Sequence, residues 1–227
     1  MKHVFRALLI CAICVLGYMC VTSITSVIKF DKSRELRETA IKKNLIEIRK
    51  AEIEYQKVKG VFCANTDTLV DFILNGKLPV VLKEGTLTDE QLKNGLTEEK
   101  ALKIVKKGNM KEIKANGLEG FRRDTSYVNV YEVLFAEQYT REEIPNLMVI
   151  PYSNNVKFSL DTARLTNYNT GYVLPLFEAC APYDAYLGDL DHQQLINLKD
   201  LQTKLERYCG LKVGSVTESN NHAGNWE

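Results

Sequence analysis

From Ala7 to Ile28 the chain carries no charged side chain, and this run constrains the molecule more than any other stretch. Coiled as a helix at about 1.5 Å per residue, it reaches roughly 33 Å, enough to cross a hydrocarbon layer of about 30 Å. Lys2 and Arg6 precede it, and Lys29 closes it abruptly. A cleaved signal peptide would have a shorter apolar stretch, and Val21-Thr22-Ser23 makes a poor cleavage site. A lipid-anchor signal wants a small residue directly before its cysteine, whereas Met19 precedes Cys20. Residues 1–28 therefore read as a retained, single-pass transmembrane anchor.

Sidedness follows from two opposing rules. Lys29, Lys32, Arg34, Arg37, Lys42 and Lys43 outnumber the cations before the run, which by charge alone would hold the following domain in the cytoplasm. That rule weakens for long translocated domains, and a first apolar segment of this kind behaves as a signal anchor. The expected location is the inner membrane, with the soluble domain in the periplasm.

With 45% apolar and 26% charged residues in 227, the rest of the chain has ordinary globular composition. A net charge of +1 lacks the basic excess that phosphate neutralisation requires, so nucleic acid is not an expected partner. Cys11, Cys14 and Cys20 lie in the apolar run, where small polarisable side chains face lipid or other helices. In the soluble part, Cys180 and Cys209 are a candidate disulfide for an oxidising compartment. Cys63 is then left over, and the odd count keeps the free-thiol alternative open. His3, His192 and His222 are far apart, without the spacing of a zinc site.

Asp31 to Lys59 contains no proline or glycine, and Ile41, Leu45, Ile48, Ala51, Tyr55 and Val58 recur at steps of three and four, one face of a helix. A strict heptad would next need apolar residues where Glu52 and Lys59 stand. The stripe therefore drifts as in a straight helix lying on a globular body, not a coiled coil. Gly60 is the expected C-cap, and anchor and stripe are expected to join in one helix of about 50 residues. Asn65 or Thr66 caps a short helix, Asp67 to Leu74, stopped by Asn75-Gly76; Leu78 to Lys83 reads as extended. Thr88-Asp89-Glu90 and Thr97-Glu98-Glu99 open two further helices, the second running to about Lys107. The lysines at 100, 103, 106, 107, 111 and 114 are flanked by acids and lack interleaved aromatics, the pattern of a solvated face.

From residue 121 the pattern changes to period two. Ser126–Phe135, Leu147–Tyr152, Val156–Leu160 and Gly171–Ala179 read as strands, with turns at Ser153-Asn154-Asn155 and Asn167–Gly171. Short turns make this an antiparallel meander, in which Pro151 and Pro175 require edge or irregular positions. A helix from about His192 to Tyr208 presents Leu195, Leu198, Leu201 and Leu205. Residues 29–209 thus form one soluble α+β domain. Residues 210–227 are a polar tail carrying the sole tryptophan, Trp226, a candidate contact with the domain or with a partner.

The order of elements, with Ile48-Arg49-Lys50-Ala51, Tyr55, Gly60-Val61-Phe62, Thr68-Leu69 and Phe72, resembles type IV pilins and the pseudopilins of type II secretion over residues 29–76. The resemblance implies a long N-terminal helix, membrane-spanning and then amphipathic, packed on a small antiparallel sheet. It also implies a structural or assembly role in the bacterial envelope, with self-association through the anchor helix. Gly210 to Ser215 and Gly224 to Glu227 are similar to uncharacterised envelope proteins of Bacteroidetes-type bacteria. Two family features are missing: Tyr18 follows Gly17 in place of phenylalanine, and Thr22 stands where the family has a glutamate.

No nucleophile elbow, phosphate-binding glycine loop, dinucleotide fingerprint or zinc-protease motif is present. Asp184, Asp189, Asp191 and His192 form a dense polar cluster, read as a solvated turn capping the next helix rather than a metal site. Glu52 and Glu54 diverge around their helix and are not a catalytic pair. Tyr127, Tyr131, Tyr139 and Tyr152 read as packing residues rather than a ligand platform. No catalytic, cofactor-binding or metal-binding residue is expected. The reading is a non-enzymatic, membrane-anchored, pilin-like structural or assembly protein; the alternative is a stand-alone membrane-tethered domain that binds a ligand or a protein.

Overall fold

The computed structural model describes residues 2–166 and 171–227, with only the backbone at 2–4, 7, 8, 81–83 and 123–125. Its first element, α1 (Lys2–Lys59), is a single helix of 58 residues, about 87 Å long. Neither half contains a helix breaker other than Gly17, so nothing interrupts the ladder at the junction. Gly60 ends it with φ +76°, its N–H donating to Gln56 O at 2.7 Å, a left-handed stop that glycine adopts without strain.

The second half of α1 is the spine of the core. Ile41, Leu45, Ile48 and Ala51 are fully buried against the domain. Glu52 is fully buried with them, so the buried face includes position 52 although a strict heptad would have wanted an apolar residue there. Next comes α2 (Thr66–Asn75), whose cap Asn65 accepts from the N–H groups of Asp67 and Thr68 and whose Leu69 and Ile73 enter the same core.

A two-stranded antiparallel ribbon follows, β1 (Lys77–Glu84) on β2 (Arg122–Asn129), in register from Lys77 opposite Asn129 to Glu84 opposite Arg122. Between its strands lie α3 (Asp89–Lys93), α4 (Glu98–Lys107) and α5 (Met110–Ala115). These close over a small core of their own, Ala101, Leu118 and Phe121. Thr88 makes a capping box with Gln91, and Thr97 caps α4. The strand expected over Ser126–Phe135 stops at Asn129. There the Asn129 side chain accepts from Tyr131 N–H and donates to Leu74 O, starting a helical turn, α6 (Val130–Leu134).

The expected strand Leu147–Tyr152 is also corrected. Ile144–Met148 forms a 3-10 turn with Pro145 at its start, and only Val149 pairs, in an isolated bridge with Lys157. The main sheet consists of β3 (Ser159–Thr166), β4 (Val173–Pro182) and β5 (Gly210–Gly214), all antiparallel in the order β3-β4-β5. The expected turn Asn167–Gly171 lies outside the described residues except for Gly171. Pro175 is opposite Arg164 on β3, while β5 pairs only with Glu178–Pro182. Pro175 thus sits where β4 has one neighbour and no second ladder bond is required of it.

After β4 come α7 (Tyr183–Leu187) and α8 (His192–Lys204). The second is shorter than expected, with Leu195 buried but Leu201 and Leu205 half exposed. The polar tail expected at 210–227 is overturned. β5 is built from its first residues, and the rest folds back along β5, making a bridge from Val213 to Gly224. Asn225 supplies what an edge strand lacks. Its amide accepts from Lys212 N–H at 3.1 Å and donates to Gly210 O at 2.9 Å, while its own N–H reaches Lys212 O at 3.0 Å. Thus the domain runs on to Glu227 and is not closed at residue 209.

α1 packs on β5, β4 and α2, giving a long helix on small antiparallel sheets, as the α+β reading expected. Phe177 in β4 meets Phe62, just past the far end of α1, at 4.8 Å between rings. At the other end of the strand, Arg37 reaches Tyr186 on α7. β4 therefore runs back toward the apolar half of the helix.

Candidate functional site: the apolar helix and its junction

The first half of α1 has no protein neighbours on any described side. Leu9, Ile13, Leu16, Val21 and Ile24 are all more than half exposed, which in water would be a heavy loss of hydrophobic free energy. Two hydroxyls in this half bond their own helix. Thr22 Oγ1 donates to the carbonyls of Tyr18 and Met19 at 3.0 Å, and Ser26 Oγ to Ser23 O at 3.1 Å. This is how hydroxyls are accommodated in an apolar medium. Among the described residues this is one helix long and apolar enough to cross a membrane.

The transition to the domain takes two residues. Ile28 is 49% exposed and Phe30 only 5%, so the body begins where the apolar run ends, without a linker. Arg37 fastens this junction from α1. Its guanidinium donates to Tyr186 O at 2.6 Å and grips Asp189 with both terminal nitrogens, and it lies over the Tyr152 ring at 5.2 Å. The paired hydrogen bonds hold the Asp189 carboxyl below its ordinary pKa and raise that of Arg37. Further along, Glu38 bridges Arg34 and Lys42 at 3.4 and 3.6 Å. At the far end Arg49 pairs with Glu227 at 2.9 Å.

Glu52 is the one fully buried carboxylate of this helix. One oxygen accepts from Cys63 N–H at 2.9 Å, and the other has no hydrogen-bond partner. Burial raises its pKa to about 7, against the opposing pull of the Cys63 N–H. Glu54 instead faces outward and pairs with Lys57, so the two glutamates do diverge.

The other expected site residues are dispersed. Cys180 and Cys209 are free thiols, as are the remaining four cysteines. The register explains it: Cys180 is opposite Lys212, and Tyr183 N–H bonds Cys209 O, so the two cysteines are offset by three residues. That is about 10 Å along a strand, beyond the roughly 7 Å between Cα atoms that a disulfide tolerates. Burial and a bond to Glu178 push the Cys180 thiol up to about 12, and such a thiol is inert at neutral pH.

In the acidic cluster, Asp184 is held by Lys199, Asp189 by Arg37, and Asp191 caps α8 through Gln194 N–H. Tyr131 donates to Tyr139 O, Tyr152 lies under Arg37 and Tyr127 is exposed on the ribbon, so those four rings form no common surface. Trp226 is half-buried and packs on the main core. Its indole lies against Gly224, where any Cβ would come within 2.6 Å of the ring.

An aromatic and polar groove lies between α1, α8 and the last residues. It brings Tyr183, Tyr208 and Trp226 together with Arg34, Lys42 and Gln202. Only the aromatic residues flanking β5 hinted at it, since their convergence depends on β5 joining the sheet.

No family model, curated protein or solved structure matches this chain. What fold and site define is a class: an α+β domain fused without a hinge to one candidate membrane-spanning helix.

Proposed function

We propose that this is a pilin-like structural or assembly protein of a bacterial envelope, anchored once in the inner membrane with its domain in the periplasm, and not an enzyme. The unbroken helix Lys2–Lys59 carries this reading. A lateral contact made by its apolar half sets the orientation of the domain, because Phe30, Ile41, Leu45 and Ile48 fix the other half in the core. The long-helix-on-sheet architecture and the pseudopilin-like wording of residues 29–76 support the same role. Sidedness rests on the signal-anchor character of the apolar run.

Membrane cross-linking of variants retaining only Cys11, Cys14 or Cys20 tests the proposal. Cys11 and Cys20 lie about 180° apart around the helix, so a specific lateral face gives a cross-linked dimer from one and not the other. Monomer at all three positions sinks the assembly role. Protease added to spheroplasts should remove the domain; full protection would put it in the cytoplasm.

A second reading, a stand-alone membrane-tethered binding domain, is favoured by Thr22. Its hydroxyl is spent on its own helix and offers a neighbouring subunit no charge. Monomer at all three cysteine positions is the result it requires.

A further inference from the structure

The groove beside the junction has a volume of about 680 Å³ and opens between α1, α8 and the refolded chain end, within the range of ligand clefts. Arg34, at its membrane end, is six residues past Ile28, about 9 Å along the helix. The site therefore stands just above the bilayer's polar layer.

Its chemistry is balanced. Arg34, Lys42, Arg207 and Lys212 line it, but so do Glu38, Glu206, Glu218 and Glu227. Several of these charges are already paired: Glu38 with Arg34 and Lys42, Glu227 with Arg49, and Lys212 with Glu178. Such a lining favours neither an anion nor a cation. It offers planar hydrogen-bonding groups beside the rings of Tyr183, Tyr208 and Trp226.

Arg34 and Glu38 hold each other on the groove wall at 3.4 Å, and Gln202 and Arg207 add hydrogen-bonding side chains to the lining. Polar groups of balanced charge beside aromatic rings suit a guest rich in uncharged oxygen.

We infer that this groove binds an uncharged saccharide, its ring hydroxyls meeting Arg34, Gln202 and Arg207 and its C–H face lying on Trp226 or Tyr208. The sugar is either a free envelope glycan or the headgroup of a glycolipid, whose polar layer lies just below the groove. Neither source depends on self-assembly of the anchor.

Trp226 is the only tryptophan in the chain, so intrinsic emission reports on the groove directly. The full chain is titrated in mild detergent with chitotetraose, and separately reconstituted in nanodiscs with and without a galactosyl diacylglycerol. A saturable change in emission with chitotetraose is expected. Gln202→Ala and Arg207→Ala, on the rim, should each weaken it about fivefold, the worth of one hydrogen bond, without altering the far-UV spectrum. A response confined to glycolipid nanodiscs assigns the sugar to a lipid headgroup. The inference is overturned if folded protein responds to neither probe, or if both rim variants bind as the parent does.

Discussion

The two halves of α1 have the same backbone and opposite surroundings. From Leu9 to Ile28 no side chain enters the core and the large apolar ones are exposed; from Phe30 polar and apolar side chains alternate, and Phe30, Ile41, Leu45, Ile48 and Ala51 are buried in the domain. In the first half, burial within the domain fixes no face of the helix, because none of its described side chains enters the core. In the second, each buried position is fixed by Phe62, Phe177 and their neighbours in one core. The contrast teaches that hydrophobicity alone marks the first half as a candidate membrane span, whereas geometry as well as hydrophobicity places the second.

Substitutions should therefore act very differently in the two halves. The largest effect is expected for Leu45→Ala, at about 3–4 kcal/mol of domain stability, since Leu45 is wholly buried and leaves a cavity. Leu16→Ala, on the exposed face, should leave the denaturation midpoint in mild detergent unchanged. Equal effects at both positions would erase the distinction between the halves.

Glu52 sharpens the comparison from inside the core. Its pKa of about 7, against an ordinary 4.5, means that the folded state holds a proton the unfolded chain has released. The stability it contributes is complete below pH about 4.5 and is lost as pH rises through 7. Glu52→Gln, which keeps an acceptor for Cys63 N–H, should stabilise the domain at pH 8 by up to about 3 kcal/mol. It should also flatten the profile between those limits; urea titrations across pH 4–8 that superimpose for parent and variant would contradict this.

A smaller effect is expected at the junction. Arg37→Met removes the bonds to Tyr186 O and Asp189 and should cost about 1–2 kcal/mol, part of it independent of salt because the carbonyl bond is half-buried. Faster hydrogen exchange confined to α7 and residues 188–191 is the matching local signal. Smallest of all is Lys157→Ala, which breaks an exposed pair with Asp67. Less than about 0.5 kcal/mol is expected, vanishing at high salt.

Local chemistry made much of this fold legible. Gly60, Asn65, Thr88 and Thr97 each act at the helix end where their residue types suggest, because caps depend on a few neighbouring atoms. β5 was illegible for the opposite reason: Gly-Leu-Lys-Val-Gly has no strand signal until β4 offers it a ladder and Asn225 closes its free edge. Leu147–Tyr152 looked like a strand from its apolar content, yet Pro145 and the Ser153 hydroxyl, which donates to Ile150 O, bend it into turns. The groove inherits the same difficulty, since Tyr208 and Trp226 meet only after β5 is in place.

By itself, then, the sequence determined the helix and its apolar half, because periodicity and charge are properties of neighbours along the chain. Only the tertiary structure decided that Glu52 is inside, that Cys180 and Cys209 stay apart, and that the last eighteen residues (210–227) complete the domain. Glu52 is enclosed where the chain after α1 brings the Cys63 N–H back onto the helix; the other two depend on which segments lie side by side across the sheet, and strand pairing over such separations leaves no periodic trace in the chain.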